Sequence, residues 1–256
     1  MSDERNLVQS VLKALGILEV ICRGRNCGVR ELSEKTGINR STVNRLVVTL
    51  ERAGYVEQEK DRGKYRASLR LFELGNAVIQ HLDIYEQAYP IMQSLSEKTE
   101  ETINLAILDG NQVLYVLKID SPHMLKSSAS IGSRSPVYCN ASGKVILAYL
   151  PEDKRRDFLP EEFYLFTPNT LKNVTELNAE LSRVRVNGFA VDNEEWSLNS
   201  KALAAPVRNH DQKIIAALTI AGPMVRLTSQ RIEELAQILI KEAAALSAKL
   251  GYRDPQ

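Results

Sequence analysis

At 256 residues the chain is longer than a typical domain of roughly 100–200 residues, so about two domains are expected. With 44% hydrophobic and 25% charged residues and a formal net charge of +1, the composition is that of a soluble globular protein. It excludes an intrinsically disordered chain, a collagen-like fibre and a helical membrane protein, since no apolar run approaches the ~20 residues that span a bilayer.

The near-neutral total is a cancellation: residues 1–68 carry a net +4, residues 69–256 a net -3. A small basic module ahead of a larger, mildly acidic body fits a DNA reader joined to a sensor or an enzyme. The polar start MSDERNLVQS lacks the basic-then-apolar pattern of a signal peptide, and three cysteines are too few for a disulfide scaffold, so a cytoplasmic protein is expected.

In chain order, Val8, Val11, Leu15, Leu18 and Cys22 recur at spacings of three and four, which predicts a helix over residues 7–21 with that stripe buried. A short helix follows over residues 29–36, with Gly37 placed for the left-handed residue that ends it and Asn39 placed to cap the next helix. That third helix, about residues 40–53, puts Val43, Leu46, Val47 and Leu50 inward and Ser41, Asn44, Arg45 and Arg52 outward. Two short strands then flank a turn at residues 60–63. This is a winged helix-turn-helix: residues 1–68, with the helix-turn-helix at about 29–53 and the wing at 55–66.

Such a unit sets its second helix at an angle that enters a DNA major groove, where short polar side chains and arginine reach base edges. Ser41, Thr42, Asn44 and Arg45 are the candidate base readers, and Arg30, Arg40, Lys60, Arg62 and Lys64 the candidate phosphate or minor-groove contacts. A linker helix is expected over residues 69–82, and a second helix over 83–100 that Pro90 should kink or break. From there to residue 256, a hairpin around Asp109-Gly110-Asn111 and alternating helices (141–150, 174–186, 228–250) and apolar strands (189–191, 203–207, 214–220) predict an α/β or α+β body.

Nothing in this body assembles a catalytic or metal site. His81, His123 and His210 are scattered, and Cys22 and Cys27 lack a second pair and are read as buried small hydrophobes. The segment ASGK lacks the first glycine and the Ser or Thr of a phosphate loop. Asp192, Glu194 and Glu195 are either carboxylates of a site or a solvated strand end. No enzyme activity, metal or cofactor is expected.

The run VQSVLKALGILEV, then ELSEKTGINRSTVNRLVVTLERAGYVEQ and KYRASLRLFELG, resembles the N-terminal domain of the IclR family of bacterial transcription regulators. ETINLAILDGNQVLYVLKIDSP, SIGSRSPVYCNASGKVILAYL, RVNGFAVDNEEW, AAPVRN, IIAALTIAGP and RLT follow in the order of that family's effector domain, so the likeness covers nearly the whole chain. LRLFELG and SAKLGY are most similar to the family's repressors of sugar-acid and pectin degradation. The resemblance implies an α+β architecture: a winged helix-turn-helix joined by a linker helix to a mixed α/β, GAF-like effector-binding domain.

It also implies a pocket in which an organic acid meets backbone amides of a helix start, an aspartate, a cysteine and two serines. Ala141, Ser142 and Asp192 match that pattern; the cysteine is replaced by Ala202 and the serines by Thr219 and Ala221. The expected effector is therefore a small organic acid other than glyoxylate or pyruvate, larger or less polar toward Ala202 and Ala221, unless the altered pocket is vestigial. The expected partners are double-stranded operator DNA, the effector, and further copies of the chain in a homodimer or a tetramer of paired dimers, with residues 69–82 as the pairing surface. The competing reading is a metabolite-binding protein or enzyme whose winged helix is only an interaction module; the basic outward face of the third helix argues against it.

Overall fold

In the computed structural model, which describes residues 7–24, 26–59, 63–80 and 84–253, helix α1 (Gln9–Arg23) leads into β1 (Cys27–Gly28), α2 (Val29–Thr36) and α3 (Arg40–Arg52). Gly37 takes φ 70°, a left-handed conformation that lets the chain leave α2 and turn at once. Asn39 caps α3, its side chain accepting from the Thr42 amide at 2.9 Å. Strands β2 (Val56–Gln58) and β3 (Lys64–Ala67) form the wing, with β1 pairing on the other edge of β3. Ile17, Ile21, Leu32, Val43, Val47, Leu50, Val56 and Tyr65 make the core beneath them.

The buried stripe of α1 is not the one the spacing suggests. Ile17 and Ile21 are buried, whereas Val8, Val11 and Leu15 are 61%, 53% and 50% exposed and Cys22 lies at the surface. Leu7, Val8, Val11, Leu12 and Leu15 sit beside the buried set, so apolar residues surround most of the helix and the period of 3.6 fits two stripes. Only one can face a three-helix core. Helix α4 (Leu69–Gln80) closes this unit, with Leu69 and Phe72 exposed.

The contacts divide the chain into two compact units, Met1–His81 and Leu82–Gln256. In the second, α5 (Ile84–Thr99) runs unbroken through Pro90, contrary to the expected break. Pro90 and Glu86, whose carbonyl loses its intrahelical partner, both lie on the exposed side of the helix, where the loss costs least.

A six-stranded, wholly antiparallel sheet follows in the order β6-β5-β4-β9-β8-β7, where β4 is Thr102–Asp109, β5 Gln112–Ile119, β6 Arg134–Pro136, β7 Ala190–Asn193, β8 Ser200–Arg208 and β9 Ile214–Pro223. The β4–β5 hairpin closes through Gly110-Asn111, with Asp109 opposite Gln112 and Gly110 at φ 59°, so it is the glycine that supplies the positive φ such a tight turn needs.

Alternation along the strands separates two cores. Leu105, Leu203, Ala205, Leu218 and Ile220 face α5 and α9 (Ser229–Lys249). Ala106, Ala190, Ala204 and Ala217 face α6 (Ala141–Tyr149) and α8 (Val174–Asn187); the short helix α7 (Glu152–Arg155) lies between those two in sequence. Small residues on this second face let α6 lie close to the sheet. Gly143 shows how close: a Cβ there would overlap the Val137 carbonyl oxygen.

Candidate DNA-reading face and effector cavity

On α3 the residues Arg40, Ser41, Asn44 and Arg45 are exposed together, with Thr42 half-buried at the helix start. The Ser41 hydroxyl donates to the Asn39 carboxamide at 2.9 Å, so the cap that starts the helix also orients this side chain. Arg40 and Arg45 have no ion-pair partner among the described residues, and Lys64 is exposed at the start of β3. Arg30 is bound to Glu34 at 2.9 Å across one turn of α2, an exposed pair that exchanges readily for another anion. Lys60 and Arg62 lie outside the described residues.

In the second unit a cavity of about 190 Å³ opens over the α6 face of the sheet. Ala141, Ser142, Asp192, Ala202, Thr219 and Ala221 all line it. The register explains why: Asp192 pairs with Ala202 and Ala202 with Ala221, while Thr219 pairs with Ala204 on one side and Asn104 on the other. These residues therefore form two adjacent rows on one face.

Helix α6 starts at the cavity wall. Asn140 caps it, accepting from the Gly143 amide at 2.7 Å, and its carbonyl takes the Lys144 amide at 3.1 Å. The amides of Ala141 and Ser142 remain without a protein partner among the described residues. Two unpaired N–H groups at the positive end of a helix make a carboxylate site. The Ser142 hydroxyl meets the Thr219 hydroxyl at 2.8 Å and so ties the helix start to β9.

Asp192 is buried, and its Oδ1 accepts from the amides of Glu195 at 2.7 Å and Trp196 at 3.4 Å. Burial first, then the nearby Glu195 charge, push its carboxyl up from 3.8 to about 7, against the pull of Lys144. Lys144 is itself wholly buried, its Nζ donating to the Glu195 carboxylate and to the Val191 carbonyl. Burial raises the Glu195 carboxyl above its ordinary value while Lys144 opposes that.

The alternative of a solvated strand end thus fails for Asp192 and Glu195, which are 7% and 6% exposed. Glu194 alone is partly open to solvent, and it accepts from the Asn199 amide at 2.7 Å. The lysine of ASGK is half of a buried ion pair, and the glycine is required by packing. Sequence reasoning missed Asn104, Tyr115 and the serines of residues 127–135 as cavity residues. Asn104 sits inside the apolar run TINLAIL, and a polar residue there was the available signal. Among the described residues no group of three or more His, Cys, Asp or Glu is placed to hold a metal ion.

A helix-turn-helix with a wing and a separate unit enclosing a small polar cavity define a DNA-binding transcriptional regulator. Residues 10–60 match the IclR helix-turn-helix domain and residues 76–248 the C-terminal domain of the bacterial transcriptional regulator IclR. The chain is similar to the HTH-type transcriptional regulator KdgR of Escherichia coli (strain K12), 38% identical over 255 residues, covering 99% of this chain and 97% of that protein. The transcriptional repressor IclR of the same strain is 29% identical over 248 residues, covering 95% of this chain and 90% of that one. The crystal structure of the Thermotoga maritima IclR superposes with a TM-score of 0.83 at 31% identity, over 95% of this chain and 99% of that one. The chain belongs to the IclR family of bacterial transcriptional regulators.

Proposed function

We propose that the chain is a cytoplasmic repressor of a catabolic operon, released from its operator by a small organic acid bound in the second unit. The observation that carries the effector reading is the meeting in one cavity of the unpaired Ala141 and Ser142 amides with Asp192. The amides take the acid's carboxylate, Asp192 takes a hydroxyl or other donor, and Ala202 and Ala221 leave room that a thiol and a hydroxyl would fill.

On this reading residues 1–68 are the reader, 69–82 the linker and 83–256 the effector-binding domain. Ser41, Thr42, Asn44 and Arg45 contact bases; Arg30, Arg40, Lys60, Arg62 and Lys64 contact the backbone. Because one recognition helix reads only a few base pairs, the protein acts as a dimer, or as a tetramer of two dimers, on half-sites about one helical turn apart. The relative described as the transcriptional repressor IclR supports repression as the mode.

Gel-shift titration of the full chain on the intergenic DNA beside its own gene, with sugar acids, keto acids and aromatic acids added in turn, tests the reading. Specific retention that one acid class releases is expected. Retention that no acid alters, with no acid shifting the melting temperature, overturns the effector assignment.

A further inference from the structure

The charges around the effector cavity do not match an acid. Among the residues that line it, only Asp192 and Arg134 have an acidic or basic side chain, and Arg134, on β6, is bound to Asp109. Strands β8 and β9 add only Ser200, Ala202, Thr219 and Ala221 to the wall. Behind it, Lys144 on α6 is engaged by the Glu195 carboxylate and the Val191 carbonyl. Glu180 on α8, 4.0 Å from Lys144, is bound to Arg183 at 3.2 Å, and Glu194 accepts from the Asn199 amide. Tyr115 on β5 and Cys139 just ahead of α6 lie within reach of the Asp192 charge, and burial pushes both groups up, so both are neutral. No cation among the described residues is therefore left to face an ionised Asp192 and an ionised ligand together.

Asp192 itself is engaged on one side only. Both of its amide bonds, from Glu195 and Trp196, fall on Oδ1, and Oδ2 accepts from no described residue. A carboxylate seated on the Ala141 and Ser142 amides shares a space of about 190 Å³ with this oxygen, which leaves no room to hold two anions apart. Two carboxylates confined in one site hold a proton between them, because both cannot stay ionised. Burial already raises the Asp192 carboxyl to about 7, so the proton is readily held near neutral pH.

We propose that the effector cavity takes up an acid and a proton together: the ligand binds as its carboxylate, and the proton sits on Oδ2 of Asp192, which donates it to an oxygen of the ligand. The proton comes from solvent, since a carboxylic acid of ordinary strength is ionised throughout the neutral range. It turns the one negative group of the wall into a donor, and a hydroxyl or carboxylate oxygen answers a donor. The inference rests on the effector reading given above and adds its regulation. A given concentration of acid releases the operator more readily as pH falls through neutrality.

Calorimetric titration of the full chain with D-gluconate, pyruvate and benzoate, in buffers of different ionisation heat and between pH 6 and pH 8.5, tests this. For an acid that binds, the wild type should take up about one proton per acid at pH 8.5 and almost none at pH 6, where Asp192 already holds it. Its affinity should fall by about tenfold for each pH unit above 7. Asp192→Asn, which cannot ionise and keeps an acceptor for the two amides, should take up no proton, and its affinity should vary less than about twofold over the range. Asp192→Ser, likewise without an ionisation, serves if the asparagine variant does not fold. A wild type that binds equally at pH 6 and pH 8.5 without proton uptake overturns the proposal and leaves the acid site standing. Undiminished uptake in the variants overturns it too, by placing the proton elsewhere. A wild type that binds none of the three acids at any pH removes the effector reading and the proton linkage together.

Discussion

The buried ammonium of Lys144, in the first turn of α6, is paired with the carboxylate of Glu195, three residues beyond Asp192. This joins the helix that presents the Ala141 and Ser142 amides to the turn whose amides hold Asp192. The two halves of the cavity are thereby locked to each other through an ion pair, with Val191 accepting a further bond from the same ammonium.

Breaking that pair strands a buried charge. Lys144→Met should lower the free energy of unfolding by about 3–5 kcal/mol in urea denaturation, because Glu195 keeps its desolvation cost and loses its partner. The double variant Lys144→Met, Glu195→Met removes both charges and should regain at least half of the loss. If the double variant is as unstable as the two single changes summed, the pair is not the source of the effect.

Asp192 gives the protein a pH-dependent stability whose sign follows from its environment. Its carboxyl titrates at about 7 in the folded protein against an ordinary 3.8, so between those values the native state holds a proton that the unfolded chain has released. The stability this protonated carboxyl contributes is complete below about pH 4 and is lost as pH rises through 7. Asp192→Asn carries no ionisation at this position and can keep the bonds from the Glu195 and Trp196 amides. Relative to that variant, the wild type should lose on the order of 2–4 kcal/mol between pH 5 and pH 8. Parallel stability curves for the two proteins across that range would show that Asp192 ionises normally.

How far the sequence discloses this arrangement differs from element to element. Gly37, Asn39 and Thr228 mark helix ends because caps are local chemistry: one glycine or one side-chain oxygen suffices. The alignment of Asp192, Ala202, Ala221 and Thr219 in one cavity needs the strand order β4-β9-β8-β7, which local pattern does not contain; a likeness to a known family supplied it. Spacing alone misassigned α1, because hydrophobic periodicity finds an apolar stripe without telling whether the protein's own core or another surface covers it. Lys144 was unreadable for a related reason, and Asn104 left only the signal of a polar residue inside an apolar run. Burial of a polar side chain depends on partners distant in sequence, such as Glu195 across 51 positions.

The proposed reading face separates two kinds of contact, which should respond differently to mutation. Arg45→Ala should cost about 1–3 kcal/mol on the operator and little on unrelated DNA, flattening discrimination in a gel-shift competition. Lys64→Ala should weaken both DNAs to a similar degree and reduce the slope of log affinity against log salt by about 1. Intact discrimination by Arg45→Ala would remove Arg45 from the base-reading set.

The exposed stripe of α1 bears on the proposed pairing of readers. Val8, Val11, Leu12 and Leu15 are all about half exposed or more, a contiguous apolar strip that a single copy leaves in water. Leu69 and Phe72 on α4 are 77% and 72% exposed. If both helices pack against a second copy, Val11→Glu with Leu15→Glu should put two charges into the pairing surface while leaving the Ile17 and Ile21 core of the fold untouched. The variant should keep its helical content and melting transition, sediment as a smaller species than the wild type at micromolar concentration, and bind an operator with two half-sites at least tenfold more weakly, since each like-charge contact across an interface costs several kcal/mol. Unchanged sedimentation would place the pairing surface elsewhere, and a strictly monomeric wild type, with and without operator, would remove the dimer altogether.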